Sequence, residues 1–403
     1  MALGMRRAGF RHEALVEWNH NASRVLRHNA RLHPDLWAAD DVAEQDVRVW
    51  LSALNERPDI TLIAGGPPCQ PFSLAGVHAG HSDDRNMFPA ALDAVREIMP
   101  PIVVFENVPG LTRPGFLPYY QYVQEQLKRP ALVPRVGDMW SDHFQRIINS
   151  RARPRYHVYE VHVDAADLGV PQSRRRVFLV AIRTDLPSAD SWPGLAQTHS
   201  REALLYDQWV DSVYWDEHDL PQPPLPDKLR QRVHDLKRKE RPGLKRWRTL
   251  RDALRDIPEP ANGRETPGWP NHSGIPGARI YNKHTGSPVD WPSKTIKAGV
   301  HGVCGGEAMI RFPDGSLRYL TIREAAFLQG FPHNYEFPGS RSRVMGVIGN
   351  AVAVPVAEIL GRSLIAHLNL ELRGSVARRR GRDRGNSGMG VLVEQREASL
   401  RLQ

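Results

Sequence analysis

Cysteine is almost absent from this chain, because Cys69 and Cys304 are the only two among its 403 residues. Two cysteines this far apart form no disulfide framework, and without a histidine cluster they indicate no metal site. The sequence also lacks an apolar run long enough to cross a bilayer, and its first residues, MALGMRRAGF, lack the apolar core of a secretory signal. These absences predict a protein of the reducing cytoplasm without a membrane segment.

Acidic residues are outnumbered, since 54 Lys and Arg face 45 Asp and Glu and give a net charge of +9 at pH 7. A basic balance favours a polyanionic partner, above all nucleic acid, although it can also serve solubility alone. The excess is concentrated in residues 228–251, where eleven Lys or Arg accompany only Asp235 and Glu240. This segment is either a solvated charged helix or a surface that contacts phosphate groups.

Four short, apolar runs bounded by Gly, Pro or polar residues predict buried strands. They lie at 13–18, 60–66, 101–107 and 175–183. Because helical spacing appears between them, as at 85–99, the sequence predicts an α/β fold with a mostly parallel sheet.

The composition changes after residue 184, where Pro, Gly, Trp, Arg and His become frequent and periodicity weakens. Order returns at 318–332, which predicts a helix with Thr321 as its N-cap and Glu324 three residues later. Residues 347–368 predict a strand or turn that continues as a helix after Pro355. The predicted divisions are an α/β domain at 1–183, an irregular domain at 184–317, a return to the first domain at 318–372 and a basic, disordered tail at 373–403.

The segment GGPPCQPFS at 65–73 carries the strongest chemical signal. A predicted strand ends in two glycines and two prolines, so Cys69 is expected on a rigid loop beyond the carboxyl end of a strand, where α/β folds bind ligands. A lone cysteine is more often a small buried side chain, but a polar Gly/Pro loop disfavours that interpretation. Cys304, in GVCGG, has no comparable surroundings.

Two other predicted strands carry polar groups at their ends. Glu106 and Asn107 follow an apolar run, where a carboxyl group either serves a site, caps a helix or pairs with an arginine. In QSRRRV, the alternation of a strand places Arg174 and Arg176 on one face and Arg175 on the other. The first two are either surface arginines or a pair held inward over a site.

Together, and in this order, these segments resemble the motif set of the DNA cytosine-5 methyltransferases. The set comprises GGPPCQ, ENV, Q-x-R-x-R, R-x-L-T-x-R-E-x-x-x-L-Q-G-F-P and G-N-A-V-x-x-P, and DDRNMF at 83–88 also resembles a segment of that family. The resemblance runs from about residue 8 to residue 372. It implies a Rossmann-like, doubly wound class I methyltransferase domain, with a smaller target-recognition domain at 184–317.

The resemblance implies methylation of carbon 5 of cytosine, with Cys69 as a covalent nucleophile at carbon 6. Nearby positive charge favours the thiolate, and Arg174 or Arg176 can supply it. A protonated Glu106 is expected to donate to ring nitrogen 3, and Arg176 to hold the base oxygen. Because the reacting face is hidden inside a duplex, the target base must be flipped out of the DNA.

S-adenosylmethionine is the implied methyl donor. Glu17 is expected to accept hydrogen bonds from the ribose, Trp18 to stack on the adenine, and Asp46 to contact its amino group. By itself, either acid would be read as an ordinary surface group. The other implied residues are Pro68, Asn350 and Val352 for the cofactor, and Gln70, Ser73, Asn107 and Gln172 for the substrate.

The family's glycine-rich F-x-G-x-G segment, which follows its first strand and cradles the cofactor, is missing from this sequence. In the doubly wound order that strand lies beside the one leading to Cys69, so its loss predicts a gap in the sheet with unpaired backbone groups. We expect an upstream start or a truncated gene, and poor cofactor binding by these 403 residues alone.

Three other functions stay open. They are a catalytically impaired relative that only binds DNA, a tRNA cytosine-5 methyltransferase, and a nucleotide-binding α/β protein without methyl chemistry. The size of the region at 184–317 favours DNA over tRNA, and the ordered motif set argues against the last. We also expect a monomer, with duplex DNA and a cognate restriction endonuclease as partners.

Overall fold

A computed structural model describes residues 1–68, 86–280, 285–298 and 308–380, with side chains as far as residue 367. Its strands are β1 Leu15–Val16, β2 Val42–Ala43, β3 Leu62–Gly65, β4 Ile102–Asn107, β5 Tyr156–Asp164, β6 Arg175–Arg183, β7 His199–Ser200, β8 Lys245–Arg246, β9 Ser287–Pro288, β10 Met309–Arg311 and β11 Leu317–Tyr319. Its α-helices are α1 Ala2–Ala8, α2 His20–Leu32, α3 Val47–Ser52, α4 Phe88–Ile98, α5 Leu117–Lys128, α6 Trp140–Ile148, α7 Arg201–Trp209, α8 Val213–Glu217, α9 Arg230–Leu236, α10 Leu250–Leu254, α11 Ile322–Leu328, α12 Arg341–Asn350 and α13 Val354–Arg380.

The central sheet has the strand order β3-β4-β6-β5. The β3 and β4 strands are parallel, whereas β6 runs antiparallel to both of its neighbours. The sheet is therefore mixed, because β3, β4 and β5 run in one direction, as a mostly parallel sheet requires, and β6 alone is reversed. The sequence reading misses β5, an edge strand whose polar and apolar residues alternate.

Helices cover both faces of this sheet, because the side chains of each strand alternate between two cores. Ile102 and Val104 of β4 pack in a core that α1 and α13 complete. Val103 and Phe105 of the same strand pack in a second core, with residues from α4, α5 and α6. This arrangement confirms the doubly wound α/β prediction.

The two strands nearest the N-terminus form a sheet of their own. The β1 strand pairs with β2 in parallel, and within the described residues neither of them bonds to β3. The residues of β1 and β3 are only partly buried or exposed, whereas Ile102–Phe105 in β4 are buried. Because interior parallel strands are normally covered on both faces, this exposure agrees with a sheet that is divided between β1 and β3 within the described residues.

The C-terminal region confirms one prediction and corrects another. Thr321 and Glu324 form the predicted capping box of α11, with the Glu324 amide donating to Thr321 Oγ1 at 3.1 Å and the Thr321 amide donating to Glu324 Oε2 at 2.8 Å. Residues 347–350, predicted as a strand or turn, are the last turn of α12. They are helical because Val344 and Ile348 share a buried face of that helix.

Residues 341–367 are long and apolar enough to cross a membrane, but 61% of the most apolar 18-residue window is buried inside the protein. The stretch contains α12 and the first half of α13, separated by a break at 351–353. Packing in the core therefore accounts for its apolar composition.

Residues 199–254 are more ordered than their composition predicts. The helices α7, α8 and α9 pack around their own apolar cluster, which includes Leu204, Tyr214 and Trp215. Farther along the chain, Val289 and Ile296 pack in a different core, together with α2, α11 and α12. Part of the region at 184–317 thus joins the main body, and the predicted domain boundaries stay predictions.

Candidate active site

Glu106 and Arg176 meet at one end of the central sheet. Their side chains share a face because Glu106 lies opposite Phe178 in the β4–β6 ladder and Arg176 precedes Phe178 by two residues. Arg176 Nε donates to Glu106 Oε1 at 2.6 Å, and Glu106 is only 8% exposed. Arg175 points the other way into solvent, as predicted. The structure thus brings the predicted acid and one predicted guanidinium together, while their catalytic roles stay predictions.

Hydrogen bonds to two proline carbonyls hold the segment that contains Cys69 at its base. The Asn107 side-chain amide donates to the Pro67 carbonyl at 2.8 Å, which ties the end of β4 to the loop after β3. The Met87 amide donates to the Pro68 carbonyl at 3.0 Å, which closes the base of the segment. Asn107, predicted to bind substrate, is therefore placed as an anchor of this loop.

The loop after β3 also approaches Glu106 directly. A Cβ atom added to Gly66 would lie 3.1 Å from Glu106 Oε2, so glycine permits this close contact. Residues 69–85 lie outside the described residues, and they include the predicted Cys69, Gln70 and Ser73. Cys304 lies outside them as well. The described chain nevertheless enters and leaves the segment of Cys69 beside the Glu106 strand.

Arg174 is buried, and its guanidinium holds three backbone carbonyls. Nη1 donates to the Ile296 carbonyl at 3.0 Å, and Nη2 donates to the carbonyls of Gly349 at 2.7 Å and Ala351 at 2.9 Å. Burial, followed by the neighbouring Arg176, lowers the pKa of Arg174 to about 9. The group still carries its charge at neutral pH, and it ties the start of β6 to the GNAV segment.

Gln172, which the resemblance assigns to the substrate, has its side chain in the protein interior, and its substrate contact stays a prediction. It is fully buried, its Nε2 donates to the Leu328 carbonyl at 3.1 Å, and its Oε1 accepts from the Ile296 amide at 3.0 Å. Its amide is therefore used to join three segments of the chain. The sequence reading misses Gln329, which is also fully buried and donates to the Ile348 carbonyl at 2.7 Å. Burial of Gln329 could have been predicted from its position, because this amide side chain directly follows the apolar end of α11.

The residues expected at the cofactor follow β1 and β2. Glu17 is half-buried and accepts from the Asn19 amide at 2.8 Å, and burial raises the pKa of its carboxyl group. Trp18 is 78% exposed, so its indole ring is free for stacking. Asp46 caps α3 and binds Arg48 through both carboxylate oxygens, which lowers the pKa of Asp46. The expected contact between Asp46 and an adenine amino group would have to compete with Arg48.

The other expected cofactor residues differ in their exposure. Pro68 and Asn350 are exposed and can contact a ligand. Val352 is 6% exposed and packs in the core beside Ile102 and Val104. Its side chain therefore supports the site through packing.

Comparison with known proteins decides the family. The family described as C-5 cytosine-specific DNA methylase matches residues 1–129 and 136–366. The chain belongs to this family. This membership confirms the resemblance that the ordered motifs indicate, and it makes the protein a DNA cytosine methyltransferase.

Sequence relatives and solved structures align with this methylase over most of its length. It is 30% identical over 380 residues to the Type II methyltransferase M.NgoMIV of Neisseria gonorrhoeae, covering 92% of this chain and 95% of that protein. It is 30% identical over 341 residues to M.MthTI of Methanothermobacter thermautotrophicus, covering 78% and 81%. The S. pombe Dnmt2 methyltransferase structure shares 18% identity and a TM-score of 0.51 over 91% of this chain and 96% of that one. That likeness supports the Rossmann-like methyltransferase fold.

Gly349 of the methylase lies where the GNAV segment touches residues 297–298. A Cβ atom there would lie 2.4 Å from the Ala298 nitrogen and 2.5 Å from the Lys297 carbonyl carbon. Gly349→Ala should therefore lower the free energy of unfolding by about 1–3 kcal/mol through overpacking, measured by denaturant unfolding. Gly346→Ala is the matched control, because its Cβ would meet open space in the same helix, and it should stabilise slightly. Equal stabilities of the two variants would contradict the tight contact.

Residues 228–251 of the methylase use their positive charges in two ways. Five arginines pair with acids, namely Arg230, Arg232, Arg241, Arg246 and Arg251. Six other cations are exposed and form no ion pair with the described residues, namely Lys228, Lys237, Arg238, Lys239, Lys245 and Arg248. The segment is not one solvated helix, since α9 ends at Leu236 and β8 follows at Lys245–Arg246.

Proposed function

We propose that this methylase modifies carbon 5 of cytosine within specific duplex DNA sequences, with S-adenosylmethionine as the methyl donor. The Glu106–Arg176 pair carries this proposal, because it lies beside the points where the chain enters and leaves the segment of Cys69. An acid and a guanidinium close to a thiol are the groups needed to activate a pyrimidine ring.

Cys69 acts as the covalent nucleophile. Its thiolate forms a bond to carbon 6, and the displaced π electrons move through carbon 5 and carbon 4 to ring nitrogen 3. Nitrogen 3 takes a proton from Glu106, and Arg176 donates a hydrogen bond to the base oxygen. Carbon 5 thereby becomes the nucleophilic end of an enamine. After methylation, a base removes the carbon 5 proton, the Cys69–carbon 6 bond breaks, and the aromatic ring is restored.

Arg174 serves the same reaction at a distance. Its guanidinium is 2% exposed and is committed to the three carbonyls described above, so it is placed to hold the GNAV segment against β6. Its positive charge also adds to the field that favours a thiolate at Cys69. We therefore propose Arg174 as a positioning residue and Arg176 as the arginine that contacts the base.

The residues after β1 suit the proposed cofactor. The half-buried Glu17 carboxylate can accept from ribose hydroxyl groups, and the exposed Trp18 ring can stack on an adenine. When bound, S-adenosylmethionine supplies an electrophilic methyl group. Asn350 and Pro68 are further contacts for the cofactor. Asp46 contacts the adenine either through Arg48 or after its ion pair with Arg48 has opened.

Duplex DNA is the proposed macromolecular substrate. The six unpaired cations of residues 228–251 can contact phosphates and hold the duplex while a base is flipped out. Because M.NgoMIV and M.MthTI are Type II methyltransferases, a cognate restriction endonuclease is a further proposed partner. We propose that the methylase acts as a monomer in the cytoplasm.

Duplex DNA with 5-fluorocytosine at the target position should trap the proposed covalent intermediate. Fluorine cannot leave carbon 5 as a proton does, so Cys69 should stay bonded to carbon 6 after methyl transfer. In a preparation that binds S-adenosylmethionine, a denaturing gel and mass spectrometry should show one protein–DNA adduct at Cys69. Cofactor-free protein is the control, because it should give no stable adduct. If no adduct forms while unmodified DNA is methylated, the covalent route is wrong.

A further inference from the structure

The outward face of α2 carries a stripe of basic side chains away from the Glu106–Arg176 site. His20, Arg24, Arg27, His28 and Arg31 recur at the helical spacing that places residues on one face. Together with Pro338 they line an open depression of about 480 Å³. No acidic residue occurs in α2, so the helix itself does not neutralise these groups.

Two carboxylates from other segments enter this depression and neutralise only part of it. Glu44 Oε1 contacts His20 Nδ1 at 2.7 Å, and Glu44 Oε2 accepts from Arg27 Nη1 at 2.6 Å. Glu336 Oε2 contacts His28 Nε2 at 2.8 Å. Arg24 and Arg31 are exposed and have no hydrogen-bond or ion-pair partner among the described residues. Two free guanidinium groups therefore remain on the same face.

The depression is rigid, because the segment with Pro338 is fastened to α2 by a buried side chain. Asn29 Nδ2 donates to the Glu336 carbonyl at 2.8 Å, and Asn29 Oδ1 accepts from the Glu336 amide at 2.9 Å. At the other end, Asn19 caps α2 by accepting from the amides of Asn21 and Ala22. A ligand would thus meet guanidinium groups on a preformed support.

Like charges one turn apart on a helix repel each other, and an ordinary solvated helix alternates them with acids. In α2, basic residues recur every three or four positions, at Arg24, Arg27 or His28, and Arg31. No acid lies between them. A bound anion would relieve this repulsion, and planar guanidinium forks match the oxygens of phosphate groups.

We propose that the α2 face binds phosphate-type oxyanions at a site separate from the catalytic residues. Arg24 and Arg31 are the main ligands, since Arg27 is shared with Glu44. They are seven residues apart, so their Cα atoms are roughly 10 Å apart along the helix axis. Both side chains are long and flexible, so their guanidinium groups can reach two phosphates of a backbone or of a free polyphosphate.

Arginine modification tests the site without using methyl transfer. The intact protein is treated with phenylglyoxal in the presence or absence of inorganic pyrophosphate, and mass spectrometry follows each arginine. Pyrophosphate should slow the modification of Arg24 and Arg31 several-fold. Arg151 and Arg153, which are exposed and unpaired within the described chain, are internal controls and should react at unchanged rates.

The source of the oxyanion is decided by the salt dependence of duplex DNA binding. If the site holds two backbone phosphates, the double variant Arg24→Gln/Arg31→Gln should flatten the slope of log affinity against log salt by about 1.8. The control Arg151→Gln/Arg153→Gln should leave the slope unchanged. An unchanged slope in both variants, combined with protection by pyrophosphate, assigns the site to a free oxyanion.

The proposal is overturned if pyrophosphate does not protect Arg24 and Arg31 and the double variant leaves the salt slope unchanged. It is also overturned if all four arginines are protected equally, because general screening would then explain the effect. Since neither readout depends on Cys69 or Glu106, failure here leaves the proposed cytosine chemistry untouched, and failure of that chemistry leaves this site untouched.

Discussion

Serine in place of Cys69 should abolish methyl transfer while DNA binding persists. The family chemistry needs a thiolate at carbon 6, and the arginine charges that stabilise a thiolate cannot ionise a serine hydroxyl at neutral pH. Turnover should fall to background in an assay that follows a labelled methyl group from S-adenosylmethionine to duplex DNA. Fluorescence anisotropy of the same DNA should report unchanged binding.

Cys304→Ser is the matched control, because it removes the other thiol of the chain by the same substitution. This variant should keep its turnover and should still form the adduct with 5-fluorocytosine. Normal turnover by Cys69→Ser would remove Cys69 from the mechanism. Loss of turnover in both variants would point to a general requirement for cysteine in folding.

Glu106→Gln should slow methylation by roughly 10²–10⁴-fold, the usual contribution of a positioned proton donor. Glutamine keeps the size of the side chain and an oxygen that can accept from Arg176 Nε, but it cannot deliver a proton to nitrogen 3. Single-turnover kinetics with saturating DNA and cofactor would measure the chemical step directly. Thermal unfolding should show that the variant remains folded.

Asp185→Asn is the control for Glu106→Gln. Asp185 accepts from Arg183 Nε at 2.7 Å at the opposite end of β6, so the substitution removes one carboxylate from a more exposed ion pair of the same kind, away from the site. Its single-turnover rate should match that of the unmodified protein. If Glu106→Gln also keeps this rate, the proton at nitrogen 3 comes from another group.

Local periodicity predicts the strands that carry Glu106 and Arg176, whereas their placement at one site follows only from the family resemblance. Both residues follow from the alternation of side chains along a strand, and the apolar runs of β4 and β6 mark those strands clearly. The capping box at Thr321 and Glu324 is equally local. The strands and the capping box depend on neighbouring residues, whereas the contact between Glu106 and Arg176 also requires the pairing of β4 with β6.

Gln172 shows where such reasoning stops. Its motif neighbours suggest a substrate contact, but its amide is consumed by Leu328 and Ile296, which lie more than a hundred residues away in the chain. Long-range packing of this kind leaves no periodic signal. The same cause explains why β5 was not predicted. An edge strand with alternating polar residues resembles a surface segment until its pairing with β6 is known.

The division of the sheet has a consequence for handling the protein. At the outer margins of β1 and β3, main-chain amides and carbonyls that lack a ladder partner among the described residues can bond to water. An extended segment of another polypeptide readily displaces this water and pairs with the exposed strand edge. At high concentration, copies of the protein are therefore expected to associate through these strand margins.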